Sequence, residues 1–132
     1  MFSIDHLGIA VKSLEAAKKF YQTMGLEVMP EETVEAEQVR LAMVPVGETR
    51  IELLEPLSET SAIAKFLAKR GEGLHHVAMH VEDLSATVER LKAAGTRFVT
   101  DQIKVGAGGH LYVFVHPASS GGVLLELVQG KH

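Results

Sequence analysis

The chain has 132 residues, of which 46% are hydrophobic and 23% are charged, proportions typical of one globular domain. A formal net charge of −4 excludes the basic footprint of a nucleic-acid-binding protein, and the absence of cysteine excludes disulfides and thiolate ligands. No apolar run approaches the roughly 20 residues that span a bilayer, and the N-terminus lacks the pattern of a signal peptide. We therefore expect a cytoplasmic protein that binds neither membranes nor nucleic acid.

The N-terminal segment predicts a strand followed by a helix. "IDHLGIAV", residues 4–11, alternates large apolar residues with smaller ones and places His6 on the face with the small residues. Ser13 is a favourable N-cap and Gly25 fits the left-handed position that ends a helix. Between them, apolar residues recur at helical spacing: Leu14, Ala17, Tyr21 and Met24.

Three strand-like runs follow this helix: "LEVMPEE", "QVRLAMVPV" and "TRIELLEP". Glu52 lies in the third run, where its immediate neighbours are apolar. Residues 57–72 then predict a helical linker that ends at Gly71, because Ile63, Phe66 and Leu67 share one helical face.

The second half of the chain repeats this pattern. "GLHHVAMHV", residues 73–81, places His76 70 positions after His6, and it precedes a helix predicted from Asp83 to Gly95. The strand-like runs are "TRFVTDQ", "LYVFVHP" and "GGVLLELVQ", and the last one holds Glu126, 74 positions after Glu52. The sequence therefore predicts a single α+β domain made of two βαβββ modules, 1–56 and 73–132, joined by the linker 57–72.

Each predicted module carries one histidine and one glutamate at equivalent strand positions. A carboxylate inside an apolar strand is costly to bury unless it is paired or bound to a metal. If the two modules face each other about a pseudo-two-fold axis, the four side chains can meet at one point. Imidazole and carboxylate ligands suit Zn²⁺, Co²⁺, Mn²⁺, Fe²⁺ or Ni²⁺. The predicted ligands of one divalent ion are His6, Glu52, His76 and Glu126.

Structural roles are the alternative for several of these residue types. Strand and loop histidines are more often structural residues than ligands, which is the interpretation for His80, His110, His116 and His132. Glu52 has an alternative as an ion-pair partner of Arg40 or Arg50 at a sheet surface. The segment "KVGAGGH", residues 104–110, is too irregular for a P-loop and predicts a turn between strands.

Six motifs together resemble the methylmalonyl-CoA epimerases of the vicinal oxygen chelate superfamily: "IDHLGIAV", "GETRIELLEPL", "GLHHVAMHV", "KVGAGG", "FVHP" and "GGVLLEL". The resemblance implies paired modules that form a cupped, mostly antiparallel eight-stranded sheet, and a homodimer. It also implies a divalent metal on His6, His76, Glu126 and Glu52, with Co²⁺ expected and Zn²⁺, Mn²⁺ or Ni²⁺ as alternatives.

The implied reaction interconverts (2R)- and (2S)-methylmalonyl-CoA by metal-assisted proton abstraction at C2 through an enolate. By resemblance, Glu126 serves as one acid or base. The second acid or base is a glutamate in some family members, and the alignment places Arg40 at that position, so it is not assigned. Lys104, Gly106 and Gly109 are the candidate contacts to the acyl-CoA substrate.

Other members of the superfamily provide alternative functions. Glyoxalase I (lactoylglutathione lyase) uses a similar four-ligand metal site with a glutathione-dependent substrate. Extradiol dioxygenases use two histidines and one carboxylate on Fe²⁺, with further catalytic His and Tyr residues that this sequence does not reveal. A metal-free drug-binding protein of the bleomycin-resistance type leaves Glu52 and Glu126 without a role.

Overall fold

The computed structural model describes residues 2–106 and 109–130. Eight strands and three α-helices occur in this part of the chain, together with short 3-10 helices at Glu35–Glu37 and Pro117–Ser119. In chain order the elements are β1 (Ser3–Ala10), α1 (Leu14–Thr23), β2 (Glu32–Val34), β3 (Val39–Val46), β4 (Thr49–Pro56), α2 (Ala62–Arg70), β5 (Gly73–His80), α3 (Leu84–Ala93), β6 (Lys104–Val105), β7 (Leu111–Val115) and β8 (Leu125–Gln129). Within the described residues, no helix is long and apolar enough to cross a bilayer.

The eight strands form one sheet in the order β2-β3-β4-β1-β5-β8-β7-β6. β1 pairs with β4 in parallel, and β5 pairs with β8 in the same way. The pairs β2–β3, β3–β4, β6–β7 and β7–β8 are antiparallel. This arrangement confirms the predicted α+β class and the mostly antiparallel, eight-stranded sheet.

The element order βαβββ occurs twice along the chain, as the internal repeat predicts. The chain divides into two compact units, a first unit of residues 6–75 and a second unit of residues 2–5 with the described residues from 76 onward. These units do not coincide with the modules 1–56 and 73–132, because the cuts fall inside β1 and β5 rather than in the linker. The module boundaries therefore stay a prediction.

The first unit has an apolar cluster on each face of its strands. α1 covers one face, where Leu14, Val44 and Leu53 are completely buried. On the other face, Ile63 of α2 packs with Leu54 and with the neighbouring strand residues. Because side chains alternate along a strand, the successive residues Leu53 and Leu54 supply one cluster each.

The second unit has its apolar cluster under α3. Leu84 and Val88 of the helix pack against Val113 and Val115 of β7 and Leu127 of β8. The alternate residues of β7 and β8 consequently face the other side of the sheet. Phe114 and Glu126 are among them.

The predicted helix ends are confirmed in both halves. The side chains of Ser13 and Asp83 each accept a hydrogen bond from the backbone N–H three residues later, at 3.1 and 3.0 Å. Gly25 and Gly95 have φ values of 101° and 89°, which a residue with a side chain rarely adopts. Met24, predicted on the apolar face of α1, is instead 64% exposed at the end of the helix.

A second cap, which the sequence analysis missed, also repeats. Glu55 Oε2 accepts a hydrogen bond from the backbone N–H of Leu14 at 2.7 Å. Gln129 Oε1 accepts the equivalent bond from Leu84, also at 2.7 Å. Glu55 and Gln129 are 74 positions apart, the same spacing as Glu52 and Glu126, so that spacing was the signal that could have identified them.

The predicted sixth strand, "TRFVTDQ", is wrong. Only Phe98 in this run forms a bridge, to Val115, and the sixth strand is β6, at Lys104–Val105. Two backbone hydrogen bonds flank this bridge, from the His116 N–H to the Arg97 carbonyl and from the Val99 N–H to the Phe114 carbonyl, both at 2.9 Å. The backbone N–H of Arg97 instead donates to the Ser119 hydroxyl at 2.9 Å.

The other predicted bounds also shift. In "LEVMPEE" only Glu32 lies in a strand, although the Met29 N–H donates to the Met43 carbonyl at 2.8 Å. Pro30, which follows Met29, has no N–H to continue that pairing. The linker helix is shorter than 57–72, since Ser61 caps it at its N-terminus and Gly71 follows its last residue.

We expect Leu84→Ala to lower the free energy of unfolding by about 2–5 kcal/mol, because it opens a cavity in the α3 cluster. Leu84 is fully buried, whereas Leu74 is 54% exposed. The matched control Leu74→Ala should change stability by about 0.5 kcal/mol or less. Urea denaturation of the three proteins measures both effects, and equal losses in the two variants would contradict the assignment of the core.

Candidate metal centre

His6 and Glu52 form a buried pair in the first unit. β1 and β4 run in parallel, and Gly8 is the Cα partner of Glu52. His6 is 1% exposed and Glu52 is 8% exposed. His6 Nε2 lies 3.5 Å from Glu52 Oε1. The imidazole and the carboxylate therefore share one enclosed position on the sheet.

His76 and Glu126 form the same kind of pair in the second unit. β5 and β8 are parallel, and Ala78 is the Cα partner of Glu126. Both side chains are 6% exposed, and His76 Nε2 lies 3.4 Å from Glu126 Oε1. In each unit the histidine precedes the glutamate's strand partner by two residues, so the predicted repeat holds at the level of side-chain geometry.

Small residues make both pairs possible. Gly8 and Ala78 lie beside the glutamates in the strand pairing, and both are buried. Both residues share the face of their histidine, because side chains two apart on a strand point the same way, so a larger side chain at either position would crowd the pair.

The donor chemistry of the pairs fits a divalent metal ion. Within residues 2–106 and 109–130, the buried ionisable side chains are these two histidines and two glutamates. A buried carboxylate is costly unless it is paired or coordinates a metal. Imidazole nitrogen and carboxylate oxygen without thiolate are ligands that Zn²⁺, Co²⁺, Mn²⁺ and Ni²⁺ accept.

Arg40 lies on the wrong face of β3 to act beside Glu52. Met43 is the Cα partner of Glu52, so the two side chains lie on the same face of the sheet. Side chains alternate along a strand, so Arg40, three residues before Met43, lies on the opposite face. Arg40 instead hydrogen-bonds to Glu55, which raises the pKa of the Arg40 guanidinium, and its Nε lies 3.6 Å from a carboxylate oxygen of Glu31. The alternative in which Glu52 pairs with Arg40 at a sheet surface is therefore wrong.

Among the other histidines, the structure gives a capping role to His116 and a ring contact to His110, and the structural role of His80 stays a prediction. His116 Nδ1 accepts a hydrogen bond from the Ala118 N–H at 3.0 Å and caps the 3-10 helix that follows. The His110 imidazole lies 5.6 Å from the Tyr112 ring, measured between centroids. His132 lies outside the described residues.

The predicted turn after β6 is confirmed for its described residues. The N–H of Gly106 donates to the His110 carbonyl at 2.8 Å, and the N–H of Gly109 donates to the Gly106 carbonyl at 3.1 Å. A Cβ atom on Gly106 would meet the His110 imidazole, so a larger residue here would displace that ring. Lys104 is exposed in β6, and residues 107–108 lie outside the described part of the chain. Substrate contacts by Lys104, Gly106 and Gly109 stay predictions.

Two aromatic residues beside the second pair were missed by the sequence analysis. Phe114 is the Cα partner of Glu126, and its ring centroid lies 5.8 Å from that of His76. Tyr112, two residues earlier, packs edge-on against Phe114 at 6.2 Å. The alternation of aromatic residues and valine in "LYVFV" was the available signal.

Comparison with known proteins gives the family. The superfamily described as Glyoxalase/Bleomycin resistance protein/Dioxygenase matches residues 5–114. The chain belongs to this superfamily. The predicted vicinal oxygen chelate fold is thereby confirmed.

Several similar proteins and solved structures are named as methylmalonyl-CoA epimerases. The ethylmalonyl-CoA/methylmalonyl-CoA epimerase of Cereibacter sphaeroides is 41% identical over 129 residues, which cover 96% of each chain. The crystal structure of methylmalonyl-CoA epimerase from Mycobacterium tuberculosis has a TM-score of 0.88 at 39% identity, over 98% of this chain and 88% of that one. A Streptomyces coelicolor methylmalonyl-CoA epimerase variant, solved with 2-nitronate-propionyl-CoA, has a TM-score of 0.87 at 40% identity, over 96% and 93%. The resemblance to methylmalonyl-CoA epimerases is confirmed.

We expect His76→Ala and Glu126→Ala each to lower the affinity for a divalent metal by more than about 100-fold, because loss of an outer partner alone costs about 10- to 100-fold. His116→Ala is the matched control, since His116 caps a 3-10 helix and should leave metal binding unchanged. Metal content after gentle purification, measured by mass spectrometry, checks this. Equal metal content in all four proteins would contradict the metal centre.

Proposed function

We propose that His6, Glu52, His76 and Glu126 hold one divalent metal ion, with Co²⁺ as the native metal. In this proposal, each of the modules 1–56 and 73–132 supplies one imidazole and one carboxylate, and the segment 57–72 joins them. The observation that carries it is the buried histidine–glutamate pair that occurs once in each unit, at 3.5 and 3.4 Å. Membership of the superfamily supports the same conclusion.

The function is the interconversion of (2R)- and (2S)-methylmalonyl-CoA, which makes the chain an isomerase of the epimerase class. The relatives and solved structures named methylmalonyl-CoA epimerase cover nearly the whole chain at about 40% identity. Fold alone would not support this conclusion, because one fold serves many reactions. The paired donors on the sheet supply the chemistry that the reaction needs.

The difficult step is removal of the proton on C2, which lies between a thioester carbonyl and a carboxylate. A bound divalent metal supplies Lewis-acid stabilisation of the negative charge that develops on the substrate oxygens. Glu126 takes or returns the C2 proton on one face. Its burial excludes water from the proton transfer, and the His76 imidazole beside it fixes the direction of the carboxylate.

The remaining contacts of the proposed function lie around this centre. In this proposal Lys104, Gly106 and Gly109 contact the acyl-CoA, since Lys104 and Gly109 are exposed and Lys104 supplies a cation. The protein acts as a homodimer in the cytoplasm.

The wild-type protein loaded with Co²⁺ should exchange the C2 proton of (2S)-methylmalonyl-CoA for deuterium in deuterated water. Glu126→Gln should slow this exchange by about 100-fold or more, because the amide retains an oxygen ligand but cannot accept the proton. Nuclear magnetic resonance of the recovered thioester measures the exchange. Glu89→Gln, at an exposed position on α3, is the control and should exchange at the wild-type rate.

Two results would contradict the proposed function. One is a metal-loaded wild-type protein that shows no C2 exchange. The other is glutathione-dependent isomerisation of methylglyoxal at a higher efficiency than epimerisation, which would favour glyoxalase I.

A further inference from the structure

The ring of Phe114 lies on the same side of the sheet as the Glu126 carboxylate. Val113 and Val115 pack in the cluster under α3, and side chains alternate along a strand, so Phe114 faces the opposite side. Phe114 is also the strand partner of Glu126 in the antiparallel β7–β8 pair. The Cβ atoms of directly paired residues lie about 4.5–5.5 Å apart, so the ring flanks the carboxylate.

Neighbouring rings hold Phe114 in a defined orientation. The ring stands at 87° to the His76 imidazole, with 5.8 Å between centroids, and at 82° to the Tyr112 ring, with 6.2 Å between centroids. Edge-to-face contacts of this kind are favourable for aromatic pairs. Phe114 is nevertheless only half-buried, whereas His76 and Glu126 are buried. Part of a fixed aromatic surface is thus open beside the carboxylate.

The chemistry of C2 decides which substrate group this surface can accept. C2 carries a hydrogen, a carboxylate, a thioester carbonyl and an alkyl group. A phenyl ring offers no hydrogen bond, and burial of a charged or polar group against it is unfavourable. When Glu126 is within about 2.6–3.2 Å of the proton-bearing atom, the alkyl group is the substituent that matches the ring.

We propose that Phe114 determines substrate specificity by limiting the length of the alkyl group on C2 of a 2-alkylmalonyl thioester. Each additional carbon extends the group by about 1.5 Å, and a close-packed ring wall does not yield by that much. A methyl group fits, and longer alkyl groups are disfavoured. This inference rests on the proposed function, because it takes Glu126 as the group that exchanges the C2 proton.

The test is the ratio of kcat/KM for ethylmalonyl-CoA to kcat/KM for methylmalonyl-CoA. We expect this ratio to rise by about tenfold or more in Phe114→Ala, since one methylene group in an apolar pocket changes selectivity by about 10- to 200-fold. Phe114→Leu should show a smaller rise and serves as the milder variant if the alanine variant does not fold. The matched control is Phe98→Leu, because Phe98 packs in the cluster under α3.

An active wild type whose ratio does not change in the folded Phe114 variants would overturn this inference alone. An equal rise in Phe98→Leu would also overturn it, because general loosening of the unit would then explain the effect. Loss of bound metal with both substrates slowed equally would overturn it too, since the ring would then only support His76. A metal-loaded wild type that is inactive towards both substrates would overturn the proposed function, and this inference with it.

Discussion

The central constraint on this protein is the burial of carboxylate groups inside a β-sheet. An ionised carboxylate loses several kcal/mol when it leaves water, unless an opposite charge, a hydrogen-bond donor or a metal compensates. Glu52 and Glu126 are both in this position, and each has an imidazole within 3.5 Å. Gly8 and Ala78 leave the space that these contacts need. The small residues beside each pair are therefore consistent with the charge that the sheet accommodates.

The two units share one arrangement of histidine strand, glutamate strand and capped helix. Each unit places a glutamate on the strand that runs parallel to the histidine strand, and the residue three positions after the glutamate caps the unit's helix. One strand thus orients a buried carboxylate and fixes the start of the helix that covers the opposite face. A substitution that shifts its register would disturb both, because a slip of one residue turns every side chain to the other face.

The buried histidine–glutamate pairs favour some of the functions that share this fold over others. In a metal-free binding protein only the neighbouring imidazole would offset the desolvation of Glu52 or Glu126, whereas a bound cation would compensate a buried carboxylate more fully. The surroundings of Glu126 are polar towards His76 and apolar towards β7, because Phe114 and Tyr112 lie on the same face of that neighbouring strand. A substrate that presents both charged and apolar groups at one carbon fits such a surface.

Much of this could be predicted from the sequence, because local patterns carry it. Alternation placed His6 and His76 on the faces with small residues, and the caps at Ser13 and Asp83 marked both helices. The 74-residue spacing of Glu52 and Glu126 identified the pairs that the structure brings to 3.5 and 3.4 Å. The predicted sixth strand is reduced to a bridge at Phe98, and the Arg97 N–H donates to the Ser119 hydroxyl, which is distant in sequence, rather than to a strand carbonyl.

Only the tertiary structure decided which residues surround the pairs. The family resemblance placed Arg40 at an acid or base position, yet strand pairing turns it to the other face, where Glu55 binds it. The position of Phe114 beside Glu126 could not be predicted from the sequence, because it depends on the register of β7 against β8. Periodicity along one strand determines which face a side chain takes, whereas its neighbours on that face are determined by hydrogen bonds between strands that the local sequence does not encode.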